Sequence, residues 1–454
     1  MTTATRKPPS PPGFFLFGNM FQIMRQPLDF AKDFAKEHGD VVRVRLGPLV
    51  FYLVSHPEAI EQILRCDHRL FIKDKGTRML SAVLGEGLLT SEGDTWRRQR
   101  RLAQPSFQGD QLQKYAAGMT AAAHHILEDW QPGQTRDIHA DMTRLTMEIA
   151  AQAFLGISVV DKADRVGRAM QTVIEHFANI LILVPGYSWL PFPSNFRFRR
   201  ACRELDAVMY ETIRQRRAEG RTDGDDLLSR LLAARDDDGS QMTDRQLRDE
   251  LVTLFLAGHE TTAIALSFCF YMMALHPEVE AKLFAEIDEV LQGEPPTGTH
   301  LPRLRYTDWV VKETMRLYPP VPSIGRQATC DYEVMGYHIP KGAQVSFAQW
   351  VVQRDPRWFD DPMTFRPERW DNDLARKLPR CAYFPFGEGP RICIGNYFAT
   401  MEAVLCVAAI AQRYRLAAVP GYKLDILPSV TLRPRHGLPM IVSVRANKLA
   451  SVEA

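Results

Sequence analysis

The chain has 454 residues, 45% of them apolar and 24% charged, enough to bury a core with room for a sizeable cofactor. Its 56 basic and 54 acidic residues leave a net charge of +2, so bulk charge names neither a nucleic acid nor a lipid partner. Seven scattered cysteines without a C-x-x-C pair argue against a zinc knuckle or a secreted disulfide framework, and for a reducing compartment.

Residues 1–13 form a polar, proline-rich tail with neither a signal-like apolar run nor a span of about twenty apolar residues. Residues 14–454 read as one domain, with no internal repeat, low-complexity block or clear linker. Leu28 to Lys36 predicts a short amphipathic helix; Val41 to Leu46 and Val50 to Val54 alternate as strands around the Gly47-Pro48 turn. Pro57 opens a helix with Ile60, Ile63 and Leu64 at helical spacing. From Phe71 to Leu89 the pattern loosens into a loop bearing Gly76, Gly85 and Gly87 among several leucines, which either covers the core or lines a pocket. Trp96 and Arg100, four apart, share one helix face, and Arg97, Arg98 and Arg101 take other faces. Asp110 to Glu219 reads as successive helices broken near Trp130 to Gly133 and near Pro185 to Asn195, with an unusually apolar stretch from Ile180 to Phe192. Asp236-Asp237-Asp238-Gly239 reads as a surface loop.

Thr243 and Asp244 cap a long helix predicted to reach about Leu275. It carries Ala257-Gly258-His259-Glu260-Thr261-Thr262, where a glycine and β-branched threonines cost helix stability, about 1 kcal/mol for the glycine. Local violations of this kind are accepted where a site needs them. The Thr261 hydroxyl can reach the Ala257 carbonyl one turn earlier and disturb the regular ladder, leaving a groove beside two small residues. Further on, Glu313 and Arg316 stand three apart on one helix face, a pattern worth little alone. Phe365 to Trp370, containing Arg369, and Arg326 after a proline-rich turn follow, with strands expected over Gln327 to Val334, Tyr337 to Pro340 and about Val430 to Val444.

The last motif is Phe386-Gly387-Glu388-Gly389-Pro390-Arg391-Ile392-Cys393-Ile394-Gly395, a turn that delivers one cysteine ahead of an apolar helix from Tyr397 to Ala411. A thiol placed where backbone N–H groups converge is favoured as thiolate and offered as a metal ligand. Five of these positions (Phe386, Gly389, Arg391, Cys393, Gly395) would match by chance in such a length about once in ten thousand. Together with the preceding motifs, the turn resembles the haem-ligand loop of the cytochrome P-450 family, and the resemblance runs over essentially the whole chain.

That resemblance implies a mainly α fold with smaller β regions (α+β), a single helical domain enclosing haem b. It assigns Cys393 as axial thiolate and Phe386 to pack beside the ligand loop, while Gly395 lets the chain pass close to the porphyrin. Trp96, Arg100, Arg326 and Arg391 would hold the propionates, since an arginine fork suits carboxylates. Ala257 and Gly258 line the oxygen groove, Glu260 relays protons and Thr261 organises dioxygen; His259 takes no catalytic role. Glu313, Arg316 and Arg369 form a structural triad. The implied activity is insertion of one oxygen atom from O2 into a hydrophobic substrate, a fatty acid, terpenoid or steroid. Pocket walls are expected from Phe71 to Leu89, Ile180 to Phe192, Val321 to Ile324 and Val430 to Leu432, with Lys73, Lys75 and Arg78 near the entrance. Electrons would come from a separate ferredoxin or flavodoxin and its NAD(P)H reductase, docking on Arg97, Arg98 and Arg101. The resemblance, with no transmembrane anchor in the sequence, implies a cytoplasmic protein, and no nucleic acid partner is expected. Two rivals remain: a peroxide-using peroxygenase or hydroperoxide isomerase, which the Glu260-Thr261 pair ranks lower, and a haem sensor or carrier without turnover.

Overall fold

The structure, a computed structural model, describes residues 6–157, 160–177, 186–220 and 224–445. Its axis is the helix Asp244–Leu275, started by a reciprocal cap: the Thr243 hydroxyl accepts the Gln246 N–H (3.3 Å) and the Gln246 side chain accepts the Thr243 N–H (2.9 Å). This helix is long and apolar enough to cross a membrane by composition, but most of it is buried inside the protein. It packs against Ile138–Ala150, Pro193–Ala218, Arg305–Leu317 and Asn396–Arg413. The last of these is apolar on every face from Ala403 to Ala411 and correspondingly buried all round. The expected helical region 110–219 resolves into Asp110–Leu127, Ile138–Ala150 with a widened turn Ala151–Leu155, Val160–Phe177 and Pro193–Ala218.

A five-stranded sheet closes one side, in the order Val41–Leu46, Leu49–Val54, Gln344–Phe347, Ile324–Ala328, Phe71–Lys73. Its register sets Lys73 directly opposite Arg326 in an antiparallel pair. The strand expected over 327–334 is corrected: pairing with Gln344–Phe347 draws the strand back to Ile324–Ala328, and Tyr332–Val334 instead forms a hairpin with Tyr337–Ile339. The region 430–444 likewise divides. Leu432–Pro434 pairs with Ile426–Pro428, whereas Pro439–Val444 pairs with Tyr414–Ala418 and Thr135–Asp137. Phe71 to Leu89 is less irregular than expected, folding as a strand followed by the short helices Lys75–Met79 and Ser81–Leu84. Residues 6–13 of the proline-rich segment are tied down: the Arg6 N–H donates to the Gly336 carbonyl (3.1 Å) and the Arg43 N–H to the Pro9 carbonyl (2.8 Å).

Candidate active site

The turn before Asn396–Arg413 is closed by short-range bonds. The Cys393 N–H donates to the Phe386 carbonyl (2.9 Å) and the Ile392 N–H to the Gly389 carbonyl (3.0 Å). Gly389 has a positive φ of 74°, and a Cβ there would stand 2.0 Å from the Leu64 carbonyl oxygen, so only glycine fits. At Gly395 the φ is −94° and a Cβ would meet only the Phe107 ring, at 3.9 Å. The Cys393 side chain opens onto an internal cavity although it lies deep in the fold. That burial pushes its thiol pKa up, while the Gly395 N–H and the Arg100 guanidinium favour the thiolate.

Across the same cavity of 1360 Å³ lie Ala257, Gly258, Glu260 and Thr261. The Thr261 hydroxyl donates to the Ala257 carbonyl (2.7 Å) and Thr262 to the Gly258 carbonyl (3.0 Å), and the helix runs on without a break. Gly258 sits against Phe154, whose ring would be 3.0 Å from a Cβ at that position. Glu260 is buried and accepts a hydrogen bond from the Thr431 hydroxyl (3.3 Å), a partner that spacing along the chain could not reveal. His259 is a buried helix residue with Nδ1 3.0 Å from the Phe255 carbonyl; burial lowers its pKa and keeps it neutral.

Trp96, Arg100, Arg326 and Arg391 all reach the cavity, and the Arg391 guanidinium stacks on Trp96 at 4.0 Å from the ring centroid. Arg100 donates to the Ile392 carbonyl and Arg391 to the Ser91 carbonyl, each at 2.8 Å. Lys73 joins them, which corrects its expected place at the entrance. Its strand pairing turns it inward, where burial and then Arg326 and Arg391 depress its pKa. Burial also lowers Arg100 and Arg326, and holds Arg391 down to about 10. Like charges directly opposite in a sheet are destabilising. Among the described residues, the carboxylates that act on this cluster are Glu92, which pairs with Arg391, and Asp74. Three guanidinium groups and one amine therefore face two acids beside a cavity that also presents one thiol. That donor set fits haem, with its iron and two propionates.

On the far side of Arg305–Leu317 the expected triad is present and enclosed. Glu313 accepts from Arg316 (2.8 and 2.9 Å), Arg369 (2.8 Å), the Trp370 indole (3.0 Å) and the Arg366 N–H (3.0 Å). Arg97, Arg98 and Arg101 do not form a free basic dock: Arg97 pairs with Asp94, Arg98 with Asp236, and Arg101 with Asp236 and Asp237. The acidic loop 236–239 is thus the counterion of Arg98 and Arg101. Among the expected pocket walls, residues 180–185 lie outside the described residues. Leu432 faces the core, while Val430 and Thr431 line the cavity together with Ile426 and Leu427, which the sequence did not single out.

The family model for Cytochrome P450 matches residues 8–438. The cyclooctat-9-en-7-ol 5-monooxygenase of Streptomyces melanosporofaciens is 37% identical, covering 89% of this chain and 88% of its own. The pentalenene oxygenase of Streptomyces avermitilis is 36% identical, over 89% and 90%. A crystal structure of the cytochrome P450DA heme domain superposes with a TM-score of 0.89 at 26% identity, covering 98% of this chain and 99% of that one.

Proposed function

The chain belongs to the cytochrome P450 family and is a haem-dependent monooxygenase, and on that premise we propose that its substrate is a cyclic terpenoid hydrocarbon or alcohol, oxidised with electrons from a separate ferredoxin or flavodoxin and its reductase in the cytoplasm. One observation carries this reading: Cys393, the Ala257–Thr261 turn and an apolar wall share one cavity. Haem, when bound, supplies the reductive activation of dioxygen and the insertion of one oxygen atom into a C–H or C=C bond. Cys393 is its thiolate ligand in this proposal, and Trp96, Arg100, Arg326, Arg391 and Lys73 hold its two carboxylates.

The remaining work belongs to the helix across the cavity. Thr261 donates its own proton to the Ala257 carbonyl, which leaves its oxygen free to accept from a bound ligand or water. Glu260, fixed by Thr431, is the carboxylate from which protons reach that hydroxyl. Leu80, Leu84, Leu88, Val321 and Ile324 give the cavity an apolar wall that excludes water and orients a hydrocarbon skeleton by shape. Burying such a skeleton gains about 25 cal/mol per Å², enough for micromolar binding without many polar contacts. Two relatives are named for oxidation of an alkenol and of pentalenene, which supports a terpenoid. A fatty acid fits less well, because Lys73 points to the inner charged cluster and Arg78 is held by Gln327.

Spectral titration with cyclic sesquiterpenes and diterpenes, followed by turnover with a surrogate ferredoxin and reductase, tests the proposal. Terpenoids should shift the haem spectrum at micromolar concentration and couple NADPH consumption to a hydroxylated or epoxidised product. Spectral shifts and turnover confined to fatty acids, or to small polar compounds, would overturn it.

A further inference from the structure

The helix Gly93–Ala103 carries Trp96 and Arg100 to the cavity, and Glu92 stands at its N-cap. A side chain at that place ordinarily accepts a backbone N–H of the first turn, a task suited to the short Ser, Thr, Asp and Asn. Glu92 makes no such bond. Its carboxylate reaches across the fold instead. One oxygen accepts the Lys73 backbone N–H (2.6 Å), and the other pairs with the Arg391 guanidinium. Lys73 ends the edge strand Phe71–Lys73 and Arg391 belongs to the cysteine turn, so one side chain joins strand, helix and turn.

These contacts fix the attitude of Arg391. One terminal nitrogen donates to the Ser91 carbonyl (2.8 Å), the other to Glu92, and the guanidinium plane lies against Trp96. Each terminal nitrogen keeps a second N–H, and Nε its only one, without a protein partner among the described residues, and Arg391 lines the cavity. Glu92 does not line it. It backs Arg391 from the outer side, its own side chain 31% exposed against 13% for the arginine.

Charge separates Glu92 from a plain brace. Burial disfavours the charged forms of Lys73, Arg326 and Arg391, and Glu92 opposes that at all three. Asp74 also acts on Lys73 and Arg326, but its carboxylate is taken up by its own helix, accepting the Thr77 N–H (3.2 Å) and hydroxyl. Glu92 is therefore, among the described residues, the carboxylate bonded directly to this group of cations. Haem brings two more carboxylates to the same cations. Negative charge gathered there disfavours the electron that turns ferric haem into ferrous haem. We propose that Glu92 is a positioning residue of the haem site: it presents Arg391 and the Lys73 edge to the haem carboxylates and, by its own charge, holds the bound haem toward the ferric state. This rests on the reading that Arg391 and Lys73 hold those carboxylates.

The test is a spectroelectrochemical titration of the haem-loaded protein, native and substituted, at low and high salt. At a fixed potential, Glu92→Gln and Glu92→Ala should move the balance about three-fold or more toward ferrous haem, and less so at high salt. Glu92→Asp keeps the charge while giving up reach, and should stay within about two-fold of the native protein. Haem transfer to apomyoglobin checks the underlying reading, since Arg391→Gln should release haem at least about ten-fold faster. Release no faster than from the native protein would overturn that reading and the proposal with it. With the Arg391 effect in place, an unchanged balance in Glu92→Gln would overturn the proposal by itself. So would a shift in Glu92→Asp as large as in Glu92→Ala, which would make Glu92 a brace between strand and turn whose charge is immaterial.

Discussion

Replacing Glu250 by glutamine should leave the protein at least as stable as the native chain at pH 7.5 and remove a slope in its pH dependence. The Glu250 carboxyl is fully buried; one oxygen accepts the Leu88 N–H at 3.2 Å, and the other, like the nearby Thr253 hydroxyl, has no partner. Burial, opposed by that N–H and reinforced by Asp249, pushes its pKa from 4.5 up to about 8. In the unfolded chain the group ionises near 4.5, so above that pH unfolding releases a proton that the folded protein retains. The stability it contributes is complete below pH 4.5 and is lost as pH rises through about 8, at about 1.4 kcal/mol per unit. Across the window this amounts to about 5 kcal/mol, on the scale of the whole net stability of a domain. Glutamine keeps an acceptor for Leu88, whose side chain lines the cavity, and cannot ionise. Urea unfolding of both proteins at pH 5.5, 6.5 and 7.5 should show the variant gaining about 1.4 kcal/mol on the native chain at each step. A difference independent of pH, or one that shrinks as pH rises, would refute a buried neutral acid.

Cys393→His should retain haem but lose the red-shifted Soret band of the reduced CO complex together with oxygenase activity; loss of that band on replacing the buried Cys381 or Cys406 instead would contradict the ligand assignment. Thr261→Ala removes the 2.7 Å bond to Ala257 and should divert NADPH electrons to hydrogen peroxide with haem content unchanged, whereas undiminished coupling to product would count against its role. Glu313→Gln strands two enclosed guanidinium groups and should cost about 3–5 kcal/mol, read as a lowered denaturation midpoint and poorer haem retention. A cost under about 1 kcal/mol would place the triad with ordinary exposed pairs.

What could be read from the sequence was set by short-range geometry. The Thr261–Ala257 bond spans four residues and Glu313–Arg316 three, distances that a helix fixes by itself. The cysteine turn likewise closes within seven residues, from Phe386 to Cys393. Features joined across the chain were hidden. Lys73 could point in or out until its pairing with Ile324–Ala328 was known, because a one-residue slip reverses every side chain in a strand. Arg98 and Arg101 looked like a free dock because their aspartate partner stands 138 and 135 residues away. Thr431 meets Glu260 across 171 residues, and neither residue type announces the other. Strand limits near 324–334 failed for the same reason, since partner strands, not local propensity, decide where a ladder stops.

The residues that most offend local rules enclose one volume. Gly258 weakens its helix but admits Phe154, and Lys73 faces Arg326 across a ladder where opposite charges would be preferred. These costs are worth bearing only if something between them repays the charge and fills the space, and two carboxylates on a flat macrocycle do both. The Glu313 cluster obeys the opposite logic. It lies outside the cavity, every one of its contacts is internal, and Arg316 ties Glu313 to the carbonyls of Gln353 and Pro362 (2.8 and 2.7 Å). The fold thus keeps its cluster of cations where the cofactor arrives and, in the frame behind it, a carboxylate whose partners are all internal. Haem loss should for that reason loosen the Lys73–Arg326 edge of the sheet before it disturbs the triad.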